Sequence, residues 1–266
     1  MPVISICSPK GGVGKTTLTA NLANIFSQAG TKVVAIDLDP QNSLRLYFGV
    51  PLSEDRGLIT KIDEDGNWMD ALMNVGQNLF LLPFGASNMA QRKCLDERLE
   101  NPNYFQERQG SIFSNPDIIV IIDFPPGFSM ALHTAANISD MHLVPLVADA
   151  SSVSLFSQVQ NDELAEGPLN HSLGYFIVLN KVDNRIKINR EVQDFARNNF
   201  GDRLIGMIHS DTSVIEAAAL QQPISNFNPN SSAGFDIEII AQKVASILGM
   251  NVQQGTMVLN PLRNND

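Results

Sequence analysis

Cysteine and basic charge are both scarce in this chain, and each shortage closes off a class of protein. Two cysteines, Cys7 and Cys94, cannot build a disulfide framework and show no metal-ligand spacing. Cys7 falls inside the apolar run Val3–Cys7, where a buried strand residue is expected. No stretch approaches the about 18 consecutive apolar residues that a membrane span needs. The sequence runs from Met1 straight into a strand pattern without room for a signal peptide, so the expected location is the cytoplasm. Lysine and arginine number 18 against 28 acidic residues, a net charge of −10. Such a surface repels phosphate backbones and anionic lipid, which makes DNA and bare membrane poor default partners. The densest basic window, Lys181 to Arg203, is interleaved with Asp183, Glu191, Asp194 and Asp202 and reads as a solvated helix face.

What is present is a large apolar fraction, 44%, arranged in short runs. Strands are expected at 3–8, 32–37, 79–84, 118–124, 142–147, 175–180 and 204–208. Several are apolar on consecutive residues, as strands covered on both faces should be. Helices are expected between them at 15–28, 86–99, 130–138, 153–164, 190–199 and 214–220, with a last one at 235–248. The alternation predicts an α/β fold, a doubly wound and mostly parallel sheet with helices on both faces. Residues 1–250 are expected to form one domain. Residues 52–78 read as an acidic loop with a helix near 68–74. The polar tail 251–266 is expected to be disordered or bound by a partner.

The chemistry is concentrated where the first strand meets the first helix. Lys10 to Thr17 reads KGGVGKTT, a phosphate-binding loop with Pro9 at its first glycine position. Gly11, Gly12, Val13 and Gly14 offer backbone N–H groups to an anion, and the helix behind them adds its positive end. Lys15 would reach the β- and γ-phosphates, Thr16 would ligate Mg²⁺ and Thr17 would contact the α-phosphate. Two further strands end in acid, at Asp37-Leu38-Asp39-Pro40-Gln41 and at Asp123-Phe124-Pro125-Pro126-Gly127. Carboxylates there lie on the ligand-binding edge of such a sheet, and Asp123 fits a Mg²⁺-holding role. Asn180-Lys181-Val182-Asp183 follows another strand. As NKxD it would select guanine; as a lone asparagine it would pair with adenine, and the segment alone leaves both open. His133, His142, His171 and His209 are scattered and arrange no nucleophile, which argues against a metabolic P-loop ligase.

KGGVGKTT, DLDPQ and DFPPG together resemble the MinD/ParA family of deviant Walker A ATPases. That resemblance implies ATP with Mg²⁺ as cofactors and a homodimer with nucleotide sandwiched between subunits. Lys10 would be the signature lysine crossing to the partner's phosphates, projecting away from those of its own loop, which Lys15 already serves. Asp39 would act on the attacking water, Asp37 would sit near Mg²⁺ and Asn180 would contact adenine. Lys10, Lys15 and Asp39 are thus the expected catalytic set. Within the family, NSLRLYF at 42–48, LLPFG at 81–85, NPNYFQERQ from 101 and IHSD at 208–211 are similar to the BcsQ branch, linked to bacterial cellulose secretion. A protein of that branch would work with BcsR and BcsE and associate peripherally with an inner-membrane synthase complex. The alternative within the family is a ParA-like ATPase for DNA or cargo partitioning, disfavoured by the charge of −10. A MinD-like membrane helix is not expected, because 235–248 carries Lys243 as its one cation.

Overall fold

The computed structural model describes residues 1–62, 68–108, 115–127, 129–161, 173–253 and 256–258. Eight strands form one sheet: β1 (Val3–Ile6), β2 (Lys32–Asp37), β3 (Met73–Gly76), β4 (Leu79–Leu82), β5 (Ile118–Asp123), β6 (Met141–Val147), β7 (Tyr175–Val182) and β8 (Leu204–His209). Their order is β3-β4-β2-β5-β1-β6-β7-β8, parallel throughout except for β3 against β4. The helices are α1 (Lys15–Gln28), α2 (Met89–Leu99), α3 (Tyr104–Arg108), α4 (Met130–Ala136), α5 (Ala150–Val153), α6 (Phe156–Gln160), α7 (Lys187–Phe200), α8 (Ser213–Ala219), α9 (Ile224–Phe227) and α10 (Ser232–Ile247).

Successive strand side chains point to opposite faces, so an uninterrupted apolar strand must be covered twice. Val34, Val120 and Ile122 enter one core with Leu95, Phe105, Leu132 and Val192 from the helices on that side. Their neighbours Val33, Ile119 and Ile121 enter a second core with Leu18, Phe26, Ile237 and Val244. Each fully buried side chain of this kind contributes about 1.5–3 kcal/mol, and the doubly wound architecture is the arrangement that buries both sets.

The departures from the sequence expectation have local causes. Residues 52–78 are not a plain loop: a short 3-10 turn at Trp68–Ala71 leads into β3, which pairs antiparallel with β4 through a two-residue turn. The alternation in Met73–Gly76 is too short to stand out in sequence. The helix expected from 86 starts at Met89, because Asn88 caps it: its side chain accepts from Gln91 N, and Gln91 returns the bond. The helix expected at 153–164 is broken into α5 and α6, and residues 162–164 lie outside the described residues. So do Gln109, His171 and 259–266. Of the tail, Asn251–Gln253 and Thr256–Val258 form a two-stranded antiparallel hairpin, labelled β9 and β10, where the sequence carries no strand pattern. No helix among the described residues is long and apolar enough to cross a membrane.

One core residue is out of keeping with its surroundings. His142 lies near the start of β6, fully buried against the Tyr175 ring at 5.1 Å, and neither ring nitrogen has a hydrogen-bond partner among the described residues. Burial pushes its pKa down to about 4. The unfolded chain therefore binds a proton near pH 6.5 that the folded chain refuses until about pH 4. Stability from this group is lost as the pH falls through that window, by something on the order of 3 kcal/mol when complete. Urea unfolding of wild type and His142→Phe at pH 7, 5.5 and 4.5 should show the difference between them shifting in favour of the variant as the pH falls. A difference independent of pH would assign His142 a charged or solvated state.

Candidate functional site

The strand ends place the loop. β1 stops at Ile6, and Pro9–Gly14 turns over the carboxyl edge of the sheet into α1. Gly14 stands just before the helix with φ +98°, a left-handed conformation open to glycine at little cost, and Gly12 has φ +70°. Two side chains from β7 fix the loop from outside. Asn180 Nδ2 donates to the Val13 carbonyl at 2.7 Å, and Lys181 Nζ donates to the Gly12 carbonyl at 2.9 Å. With those carbonyls held outward, the intervening N–H groups are free for an anion. Lys181 itself adopts φ +56° to do this, and Asn180 Oδ1 accepts from its backbone N–H at 2.8 Å.

A cavity of about 770 Å³ opens over this loop. One half is lined by the loop residues, Lys15, Thr16, Thr17 and Asp39; the other sets Ile208, Val214, Ile215 and Ala218 beside the polar His209, Ser210 and Asp211. A ligand with a charged tail and a flat, weakly polar head fits that division. Lys15 is buried at 6% exposure. Burial lowers its pKa while Asp123, Asp39 and Cys7 oppose the shift, so the ammonium stands in a site that gains from a further anion.

The three candidate carboxylates take distinct positions. Asp123 is fully buried, and its carboxylate accepts from Thr16 Oγ1 at 2.6 Å and Thr19 Oγ1 at 3.4 Å. Burial raises its pKa to about 7, against those bonds and Lys15. Asp37, next to it in register on β2, is equally buried and raised by burial and by Asp123. Its two oxygens accept the backbone N–H groups of Asp39 at 2.9 Å and Leu44 at 3.1 Å, so it shapes the segment that carries Asp39. Asp39 lines the cavity and accepts from Gln41 N. Among the described residues no cluster of three or more His, Cys, Asp or Glu could hold a metal. Thr16 and Asp123 instead offer adjacent hard oxygens, and Asp123 is a desolvated acid short of countercharge. That donor set fits Mg²⁺, which takes one or two protein oxygens and completes its shell with phosphate and water. Thr16 and Asp123 would hold it, and its chemistry would be to neutralise charge on the phosphates.

Lys10 lies outside the cavity lining, and Nζ is paired with Asp149 Oδ2 at 3.0 Å and bonded to Ser151 Oγ, both in its own chain. Asp149 caps α5 through Ser152 N and anchors the lysine with the same carboxylate, so the side chain is held away from the loop's own phosphate site. Burial works against that charge, but the hydrogen bonds of Ser151, Lys10 and Ser152 hold Asp149 down at about 2. Sequence reading missed the roles of Asp149, Thr19 and Tyr47, and took Lys181 only as part of the NKxD segment and of a basic window, not as a prop of the loop. The guanine reading of the 180–183 segment also loses its basis. Asp183 is absent from the cavity lining and is held by Arg185 through its backbone N, Nε and Nη2 at 2.7–2.9 Å.

The site thus joins a phosphate loop, a buried strand-end acid bonded to the loop threonine and a second lysine outside the cavity. The family described as "Cellulose biosynthesis protein BcsQ" matches residues 1–244. The chain belongs to the BcsQ family. It is 28% identical over 254 residues to the cellulose biosynthesis protein BcsQ of Escherichia coli K12, covering 91% of this chain and 93% of that one. It is 27% identical to the chromosome partitioning protein ParA of Caulobacter vibrioides, with 84% and 85% covered. Among solved structures, the septum site-determining protein MinD of Pyrococcus horikoshii complexed with Mg-ADP superposes with a TM-score of 0.72 at 25% identity, covering 93% and 97%. The ATP complex of a Cyanothece McdA variant shares the fold, with a TM-score of 0.75 at 22% identity. This BcsQ-family chain is therefore a nucleotide-binding P-loop protein of the MinD/ParA ATPase superfamily.

The geometry of Gly14 supplies a test. A Cβ there would collide with Asn180 Nδ2 as well as strain the backbone, whereas a Cβ on Gly12 meets nothing within 4 Å. Gly14→Ala should weaken ATP·Mg binding at least tenfold, about 1.4 kcal/mol, and Gly12→Ala distinctly less, as read by titration calorimetry. Equal losses in the two would mean that Asn180 does not set the loop.

Proposed function

We propose that this protein is an ATP-dependent dimerising switch that regulates the assembly or localisation of a bacterial cellulose synthase and secretion complex. The observation that carries the mechanism is the pair of lysines on one loop with different environments: Lys15 buried in the cavity lining, Lys10 partly exposed outside it and paired with Asp149. Lys15 serves the phosphates of its own nucleotide. Lys10, released from Asp149, reaches a facing subunit and couples dimer formation to the γ-phosphate. Two acidic subunits repel one another, and two bound nucleotides add to this, so a cation from each side offsets charge that would otherwise hold the dimer apart. Asp39 orients the attacking water, with Asp37 fixing its backbone. Hydrolysis is slow until the dimer forms.

ATP is favoured over GTP because Asp183 is occupied by Arg185 away from the cavity, while Asn180 lines it and retains a free N–H and lone pair for an adenine edge. The cellulose role draws on family membership, with BcsR and BcsE as the partners and peripheral recruitment to the inner membrane through them. The ParA-like reading gains little from the basic window. Its Arg185, Lys187 and Arg197 are each paired with an acid, Asp183, Glu191 and Asp194.

Lys10→Ala should bind ATP with affinity close to wild type yet remain monomeric with ATP and Mg²⁺ by light scattering, and lose hydrolysis. Lys15→Ala, run beside it, should lose binding itself by tenfold or more, about 1.4 kcal/mol. An ATP-loaded Lys10→Ala protein that dimerises and turns over like wild type would refute the cross-dimer mechanism. For the cellular role, affinity capture from the native host in mild detergent should recover cellulose synthase subunits with the protein. Recovery of nucleoid DNA in their place would turn the assignment to partitioning.

A further inference from the structure

Behind the nucleotide cavity lies a second one of about 550 Å³, closed by the C-terminal end of α1, the 3-10 turn Leu44–Phe48, the β3–β4 turn and the α8–α9 connection. In a protein with 46 formally charged residues, no charged side chain among the described residues lines it. Asn and Gln side chains supply most of its polar lining, beside Val75, Leu79 and Pro223. Asn24 and Gln28 present theirs from α1, where both donate to Asn226 Oδ1 at 3.5 and 3.1 Å. Gln77, Gln221 and Gln222 present side-chain amides that make no hydrogen bond among the described residues. Tyr47 and Phe48 add two aromatic rings.

We propose that this cavity is a second ligand site, built for a neutral pyranose sugar of one or two rings. The absence of charge selects against phosphates, carboxylates and ammonium groups, since nothing there would offset the loss of their hydration. A carboxamide carries donor and acceptor side by side, which matches hydroxyls on neighbouring carbons, each of which also donates and accepts. The rings supply flat apolar surface for the C–H face of a pyranose, and the volume is that of a small-ligand site.

The site is joined to the phosphate loop by one residue. Tyr47 lines both cavities, and its hydroxyl is hydrogen-bonded to Thr17 Oγ1 at 2.8 Å on the first turn of α1. A sugar seated against the Tyr47 ring acts on the hydroxyl that faces the nucleotide, and by reciprocity the nucleotide alters sugar affinity by the same factor.

The inference does not depend on the cellulose role, and its test uses neutral disaccharides of different linkage. The full chain is titrated calorimetrically with cellobiose, maltose and lactose, with and without ATP·Mg. Saturable binding of at least one is expected, weakened tenfold or more in the Gln77→Ala/Gln221→Ala variant, whose altered side chains are exposed and whose ATP binding should match wild type. Tyr47→Phe keeps the ring but removes the hydroxyl; it should bind the sugar and lose the ATP-dependent shift in affinity. Flat titrations with all three sugars overturn the proposal. So does sugar binding that is indifferent to the double substitution.

Discussion

Two carboxyl groups, Asp37 and Asp123, are buried side by side at the ends of adjacent parallel strands, and much of the surrounding architecture follows from keeping them there. A carboxylate removed from water must find donors or stay protonated. Asp37 finds backbone N–H groups, those of Asp39 and Leu44, and this bends the chain after β2 into the compact turn that carries Asp39 and Tyr47. Asp123 finds hydroxyls, Thr16 and Thr19, one turn apart on α1, and this sets the rotation of that helix over the sheet. The same two acids therefore position the phosphate loop's helix and the segment facing it. Removing either one would alter the whole edge of the sheet.

The fold was legible because its two cores depend on a pattern that sequence displays directly. Val33-Val34-Ala35-Ile36 and Ile118–Ile122 are apolar without a break, and such a run has few structural solutions other than a strand covered on both sides. β3 was not legible, since four residues beside a turn carry too little pattern. In the site, spacing revealed the loop and the strand-end acids, because their chemistry is local in the chain. Asp149 and Lys181 were hidden for the opposite reason. They act across 139 and 169 residues respectively; nothing near Asp149 marks it, and the NKxD segment around Lys181 pointed to a base rather than to the loop.

Three of the four segments that resemble the BcsQ branch, all but IHSD at 208–211, are joined through contacts in the fold. Asn42, at φ +52°, accepts the Phe84 N–H on its side-chain oxygen, which ties NSLRLYF to LLPFG. Gly85, at φ +92°, lies so close to the backbone of Gly57 that a side chain on either would strike the other strand of the turn. Tyr104 and Phe105 of the NPNYF segment meet the Trp68 ring edge-on at 5.8 and 5.7 Å, closing the same side of the sheet. Short motifs scattered over 60 residues thus share a physical reason: each is needed for the others to pack.

Because Asn180 and Lys181 reach from β7 to hold two carbonyls of the loop after β1, the anion cradle is assembled when the sheet closes rather than when a ligand arrives. The conformational entropy of ordering the loop is then spent during folding, and nucleotide need not supply it on binding. Recognition of phosphate becomes a property of the sheet's far half as well as of the glycine-rich turn. Disturbances at β8 or α7 that shift β7 by a fraction of an ångström would surface as changes in how long nucleotide stays bound, with no residue of the loop itself altered.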